Sequence, residues 1–263
     1  MLIKLLKYDL KYMLKNMSVF YILALFFAIT TRILFSLNES VIVKIISQIS
    51  VGCLFAMVFN ILINTMMRSW VRFRTSIYKD EAYLTHTLPV TKDEIYDSKL
   101  LQTLVFFFAG FAIIIISLLI TYYTKDRWLM IKDLISTITT GLDFKPSIFV
   151  IGMIAVIFLE VFNAIQCGFL GIIWGHKENN NKIIFSVLYG FVAYLLAQSL
   201  VLLLTYIVGL FNPTIMDLFK SNIVLDVKSF KLLMILAIII YIIIILFMRF
   251  ICKKEFNKGV NIE

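Results

Sequence analysis

Six runs of apolar residues, each near or beyond the length needed to cross a bilayer, constrain this chain more than anything else in it. They cover residues 18–37, 41–67, 100–123, 147–174, 183–211 and 230–251. A helix needs roughly 20 apolar residues to span the hydrocarbon layer. Inside lipid every backbone N–H and C=O must find a partner within the protein, which leaves helices and closed barrels. Barrel strands alternate apolar and polar residues and are only about ten residues long, so these unbroken runs are helices. Composition agrees: 61% of residues are hydrophobic and 16% charged, against roughly one half and one quarter in soluble domains. With only three prolines and ten glycines in the chain, long helices dominate. The expected fold class is an all-α polytopic membrane protein with six transmembrane helices. It forms one membrane domain over 18–251, preceded by an amphipathic element (1–17) and followed by a polar tail (252–263).

Residues 1–17 place Lys4, Lys7, Lys11 and Lys15 on one helical face. Ile3, Leu6, Leu10, Met13 and Met17 fall on the other, with Tyr8 and Tyr12 at the flank. That pattern predicts an interfacial helix lying in the headgroup plane, with membrane lipid as its partner, rather than the short apolar core of a signal peptide. Lys and Arg orient the spans. With the N-terminus inside, the cytosolic segments carry about twice as many as the external ones, so both termini are expected in the cytosol. The net charge of +9 resides at the ends of the spans and is no nucleic-acid footprint. Cys53, Cys167 and Cys252 lack any CxxC spacing and give neither a disulfide framework nor a metal site.

Residues 68–99 form the one long polar stretch, RSWVRFRTSIYKDEAYLTHTLPVTKDEIYDSK. Flanked by the second and third spans and bounded by Arg68, Arg72, Arg74 and Lys99, it is expected in the cytosol. Lys79 to Leu84 predict a short helix with an apolar tip. Leu88-Pro89 breaks the chain, because a residue before proline is pushed out of the helical region. Thr91-Lys92-Asp93-Glu94 fits a capping box that opens the next helix, with Asp93, Glu94 and Asp97 at the favourable end of its dipole. Tyr83, Leu84, Thr85, His86 and Leu88, set among charges, read as a contact surface for a soluble partner. The plainer reading is a connector kept in water by its charges. The external segments, 124–146 and 212–230, each contain apolar residues. The first suggests a short interfacial helix around Trp128, Leu129, Ile131, Leu134 and Ile135. The second suggests a segment that dips back toward the bilayer through Ile215, Met216, Leu218, Phe219, Ile223, Val224 and Leu225, after a break near Gly209 and Pro213.

Charges inside lipid need a reason. Glu160 sits in the middle of the fourth span, with Asn163 and Gln166 after it. It reads either as a polar site on a transport path or proton relay, or as an interhelical hydrogen bond that locks the bundle. Asn60 and Asn64 form a polar stripe in the second span, and Gln198 and Ser199 another in the fifth. Arg32 snorkels to the headgroups or pairs with Glu39. There is no HExxH, no GxSxG and no nucleophile beside a base, so no enzyme activity is expected. There is also no GxxxxGK[ST], so the chain does not cradle ATP itself.

The layout and the segment Lys79-Asp80-Glu81-Ala82-Tyr83-Leu84-Thr85-His86-Thr87-Leu88-Pro89-Val90-Thr91, continued by 92–100, resemble ABC-2 type transporter permeases. The resemblance implies that the 79–92 loop is a coupling element gripped by an ABC ATPase. Asp80, Glu81, Tyr83, Leu84, Thr85, His86, Leu88 and Pro89 would then be its contact residues. It implies a complex of two permeases, a homodimer, with two ATPases that carry the ATP and Mg. A pathway near the dimer axis would bring in Asn60, Asn64 and Gln198. Within the family the chain is similar to subunits exporting phenol-soluble modulins, which implies a hydrophobic or amphipathic cargo. Two other readings stand beside it: an ion-coupled carrier that uses Glu160, and a non-transporting immunity or sensor protein.

Overall fold

The computed structural model describes residues 2–37, 40–79, 81–141, 145–219 and 227–259. Among them there is no β-strand. The helices are α1 (Leu2–Ser36), α2 (Val41–Tyr78), α3 (Ala82–Thr87), α4 (Lys92–Tyr122), α5 (Lys125–Gly141), α6 (Pro146–Gly175), α7 (Lys182–Phe211), α8 (Pro213–Met216) and α9 (Val227–Asn257). A single 3-10 turn, Asp217–Phe219, follows α8. Six of these helices, α1, α2, α4, α6, α7 and α9, are long and apolar enough to cross a membrane. The chain is an all-α polytopic membrane protein, as its apolar runs require.

Two sequence expectations change. The amphipathic element expected over 1–17 is no separate helix: α1 runs through Met17 and Ser18 for 35 residues. At about 1.5 Å per residue that is about 52 Å, well beyond the roughly 30 Å hydrocarbon layer. No glycine or proline occurs from Leu2 to Ser36, so nothing interrupts the helix at the Met17–Ser18 junction and the two segments join. Likewise the polar stretch expected to start as a loop at Arg68 stays helical to Tyr78, because α2 runs for 38 residues. The proline break and the capped helix appear as read. The Thr91 hydroxyl accepts from the Glu94 amide at 3.2 Å, and the Thr91 amide donates to the Glu94 carboxylate at 3.0 Å. A helix stands where one was expected after Tyr123: α5. The break expected near Gly209 and Pro213 is the α7–α8 junction. Ile223, Val224, Leu225, Glu39 and Asp80 lie outside the described residues.

The chain divides into two compact units, 1–129 and 130–263. In the first, α1 packs against both α2 and α4. Its core joins Met13, Met17, Tyr21 and Ala24 of α1 to Ile61 of α2 and to Phe106 and Ile114 of α4. Tyr21 donates to the Phe106 carbonyl at 3.4 Å. In the second unit α6 is central, packed on α7 and on α9. A Cβ built on Gly171 would stand 2.4 Å from the Gly190 nitrogen, and one on Gly175 would stand 2.3 Å from the Ser186 hydroxyl. The two helices therefore touch backbone to backbone through the pairs Gly171/Gly175 and Ser186/Gly190, the small-xxx-small pattern that drives helix pairing in lipid.

Candidate functional site

In the first unit α1 presents a buried stripe at helical spacing: Asp9, Met13, Met17, Tyr21, Ala24, Ala28 and Thr31. Its first member is a carboxylate with no exposed surface. Buried charges survive only when paired and hydrogen-bonded, and Asp9 is both. Its Oδ1 accepts from Arg72 Nε at 3.0 Å and from Arg72 Nη2 at 2.9 Å. Lys99 Nζ donates to both oxygens at 2.7 Å, and Ser98 Oγ approaches Oδ2 at 3.5 Å. Arg72 Nη1 reaches on to Glu81 Oε1 at 2.7 Å. The guanidinium also lies over the rings of Tyr12, at 4.4 Å, and Tyr8, at 5.7 Å. Two anions and two cations thus balance, and they join α1, α2, the N-terminal end of α3 and α4.

That network fixes α3. Glu81 precedes the short helix and is tied to Arg72. Thr85 is buried, and the His86 ring is 3.2 Å from the Ile77 carbonyl. Tyr83 and Leu84 are 71% and 67% exposed, with Leu88 and Pro89 exposed beside them. A six-residue helix has little intrinsic stability, so its pose comes from these tertiary ties. A pocket of about 270 Å³ opens between α1 and α3, lined by Leu5, Tyr8, Leu84, Leu88 and Val90 with Lys4 at its edge. Of the eight expected contact residues, Tyr83, Leu84, Leu88 and Pro89 are exposed. Glu81 and Thr85 face the protein, His86 is half-buried against it, and Asp80 is not described.

Sequence reasoning missed the network. In the sequence Arg72 and Lys99 mark only the ends of a polar stretch, and Asp9 is one acidic residue among lysines. The signal was present: Asp9 continues the four-residue spacing of Met13 and Met17, and Lys99 shares a face with Ile95 and Thr103.

The residues expected along a pathway fall into both units. In the first, Asn64 Nδ2 donates to the Asn60 carbonyl at 3.0 Å and contacts its side-chain oxygen at 3.3 Å. Asn60 Nδ2 donates to the Ala56 carbonyl. Both amides are therefore largely spent within α2. In the second unit Glu160 and Gln198 belong to one polar group. Tyr194 of α7 donates to Glu160 Oε1 at 3.5 Å, and Tyr241 of α9 donates to Gln198 Oε1 at 3.3 Å. Asn163 and Gln166, also of α6, are fully buried, and their amide nitrogens have no hydrogen-bond partner. Arg32 of α1 is exposed. Among the described residues no group of His, Cys, Asp and Glu could hold a metal ion. Compared with protein-family models, curated proteins and solved structures, the chain matches none.

Proposed function

We propose that this chain is the membrane subunit of an ATP-driven exporter of the ABC-2 permease kind, coupled through α3 to a separate ATPase. In this reading it sits in a bacterial cytoplasmic membrane with both termini in the cytosol. It pairs as a homodimer with two ATPases, which carry the ATP and Mg. Its cargo is hydrophobic or amphipathic: a peptide such as a phenol-soluble modulin, an antimicrobial peptide or a drug. The observation that carries the reading is the pose of α3. A helix too short to stand alone is held by a four-charge network, buried at Asp9, Arg72 and Lys99, that joins three membrane-length helices, and it leaves two large apolar side chains exposed. A loop with no partner has no use for such anchoring, and apolar anchors at a rigid tip are what dominate docking energies. The carrier alternative finds less support, because α6 and α7 run unbroken past Glu160 and Gln198, whereas ion-coupled sites are typically built on interrupted helices.

The test is co-purification in detergent with the products of the reading frames adjacent to the one for this chain, using wild type and the Tyr83→Asp/Leu84→Asp variant. We expect wild type to retain the ATPase stoichiometrically. Each anchor is worth about 2 kcal/mol, about 30-fold in affinity, so the variant that loses both should bind well over 30-fold more weakly while staying monodisperse and membrane-inserted. A stable wild-type chain that holds no nucleotide-binding partner would overturn the reading.

A further inference from the structure

Two carboxylates removed from water are treated in opposite ways, one in each unit. Asp9 is matched by Arg72 and Lys99. Glu160, half-buried and midway along α6, is matched by nothing charged. Among the described residues no lysine, arginine or histidine pairs with it, and its polar partner is the Tyr194 hydroxyl at 3.5 Å. Glu255, at the polar end of the same unit, pairs with Lys177 and Lys258. An uncompensated carboxylate in a membrane helix is expensive, and such groups mark binding sites and pathways.

The surroundings define what would compensate it. Tyr194 and Tyr241 add two phenol rings, whose faces attract a cation. Gln198 Nε2 is buried with no acceptor, although a buried amide donor ordinarily has one. A bare alkali-metal ion fits poorly: such ions take several oxygen ligands, commonly unwound backbone carbonyls. Here α6, α7 and α9 are continuous at these positions, so their carbonyls are spent within the helices. The vacant requirements are one positive charge for Glu160 and one acceptor for Gln198. From this we infer that Glu160, Tyr194, Gln198 and Tyr241 form a binding site for an organic ammonium group that carries a hydrogen-bond acceptor beside it. Glu160 takes the ammonium, the phenol rings flank it, and Gln198 Nε2 donates to the adjacent carbonyl or hydroxyl. A basic amphipathic molecule offers this combination. The site lies wholly within residues 130–263 and needs no ATPase to form, so its failure and the failure of α3 coupling are separate results.

The experiment uses the full chain in phosphatidylcholine nanodiscs and isothermal titration with glycine octylamide, which places an ammonium next to a carbonyl on an apolar tail. Its N-acetyl derivative has the same tail and no charge, and empty nanodiscs give the background. We expect saturable binding of glycine octylamide by wild type and at least tenfold weaker binding of the acetylated form. Glu160→Gln should lose at least tenfold, as for a charge-assisted hydrogen bond out of water. Gln198→Leu and Tyr241→Leu should each lose a few-fold. Equal affinities for the charged and acetylated probes on wild type would overturn the inference whatever the variants do. So would a monodisperse Glu160→Gln chain that binds as wild type does. Should that variant fail to fold, unchanged binding by Gln198→Leu and Tyr241→Leu would overturn it as well.

Discussion

Asp9 shows how one side chain changes meaning when its neighbours are known. In sequence it is an acidic residue among lysines on an amphipathic helix. In the structure it is the common acceptor for Arg72 and Lys99. Removing one member of a buried charge group strands the others, typically at about 3 kcal/mol or more. Asp9→Asn leaves two buried cations with only Glu81 near them. Lys99→Met leaves Asp9 still held by two bonds from Arg72 and replaces the ammonium with an apolar chain of similar length. We therefore expect Asp9→Asn to lower the thermal unfolding midpoint in detergent much more than Lys99→Met does. Equal losses from the two would mean that Asp9 is not the centre of the network. The network was half legible in the sequence. Spacing placed Asp9 on the buried face of α1, but only the fold could bring it to residues 63 and 90 positions away.

At the scale of elements, the starts and stops of helices followed local chemistry, and the sequence showed them well. Thr91 and Glu94 cap α4 as their spacing requires, and Pro89 separates it from α3. Continuity was harder to see. The polar residues from Arg68 to Tyr78 and from Lys4 to Lys15 resemble a loop and a surface helix, yet nothing in them breaks a helix, so α1 and α2 simply continue. The α6–α7 contact depends on which small residues face each other. A Cβ on Gly171 would meet the Gly190 backbone at 2.4–2.5 Å, whereas one on Gly190 would find ordinary contacts from 3.5 Å outward. Backbone cannot yield as a flexible side chain can, and overpacking costs about 1–3 kcal/mol. Gly171→Ala should therefore reduce the fraction surviving heating and size-exclusion chromatography, while Gly190→Ala should behave as wild type. The reverse order would show that α6 and α7 do not cross at these residues.

For the whole molecule, six crossings would put successive connections on alternate sides of the membrane, and the expectation from the Lys and Arg excess is that both termini and α3 face the cytosol. In a chain cleared of its own cysteines, Thr87→Cys and Lys258→Cys should react with an impermeant maleimide only after the membrane is opened. Lys132→Cys should react from outside in intact cells. Labelling of Thr87→Cys from outside would invert the topology and remove α3 from reach of any cytosolic ATPase. The number of spans, the helical class and the placement of caps were determined by the sequence alone. They depend on local hydropathy and on hydrogen bonds between residues a few positions apart, which bilayer thickness and backbone chemistry dictate without reference to distant partners. Tertiary structure decided that Asp9, Arg72, Glu81 and Lys99 share one network, that Tyr83 and Leu84 are exposed while Thr85 is buried, and that Glu160 meets Tyr194 without a cation. Each of these depends on how long helices rotate about their axes and which faces they press together. In lipid that is settled by close packing between small residues and by pairing of buried polar groups, not by the apolar pattern that selects the helices.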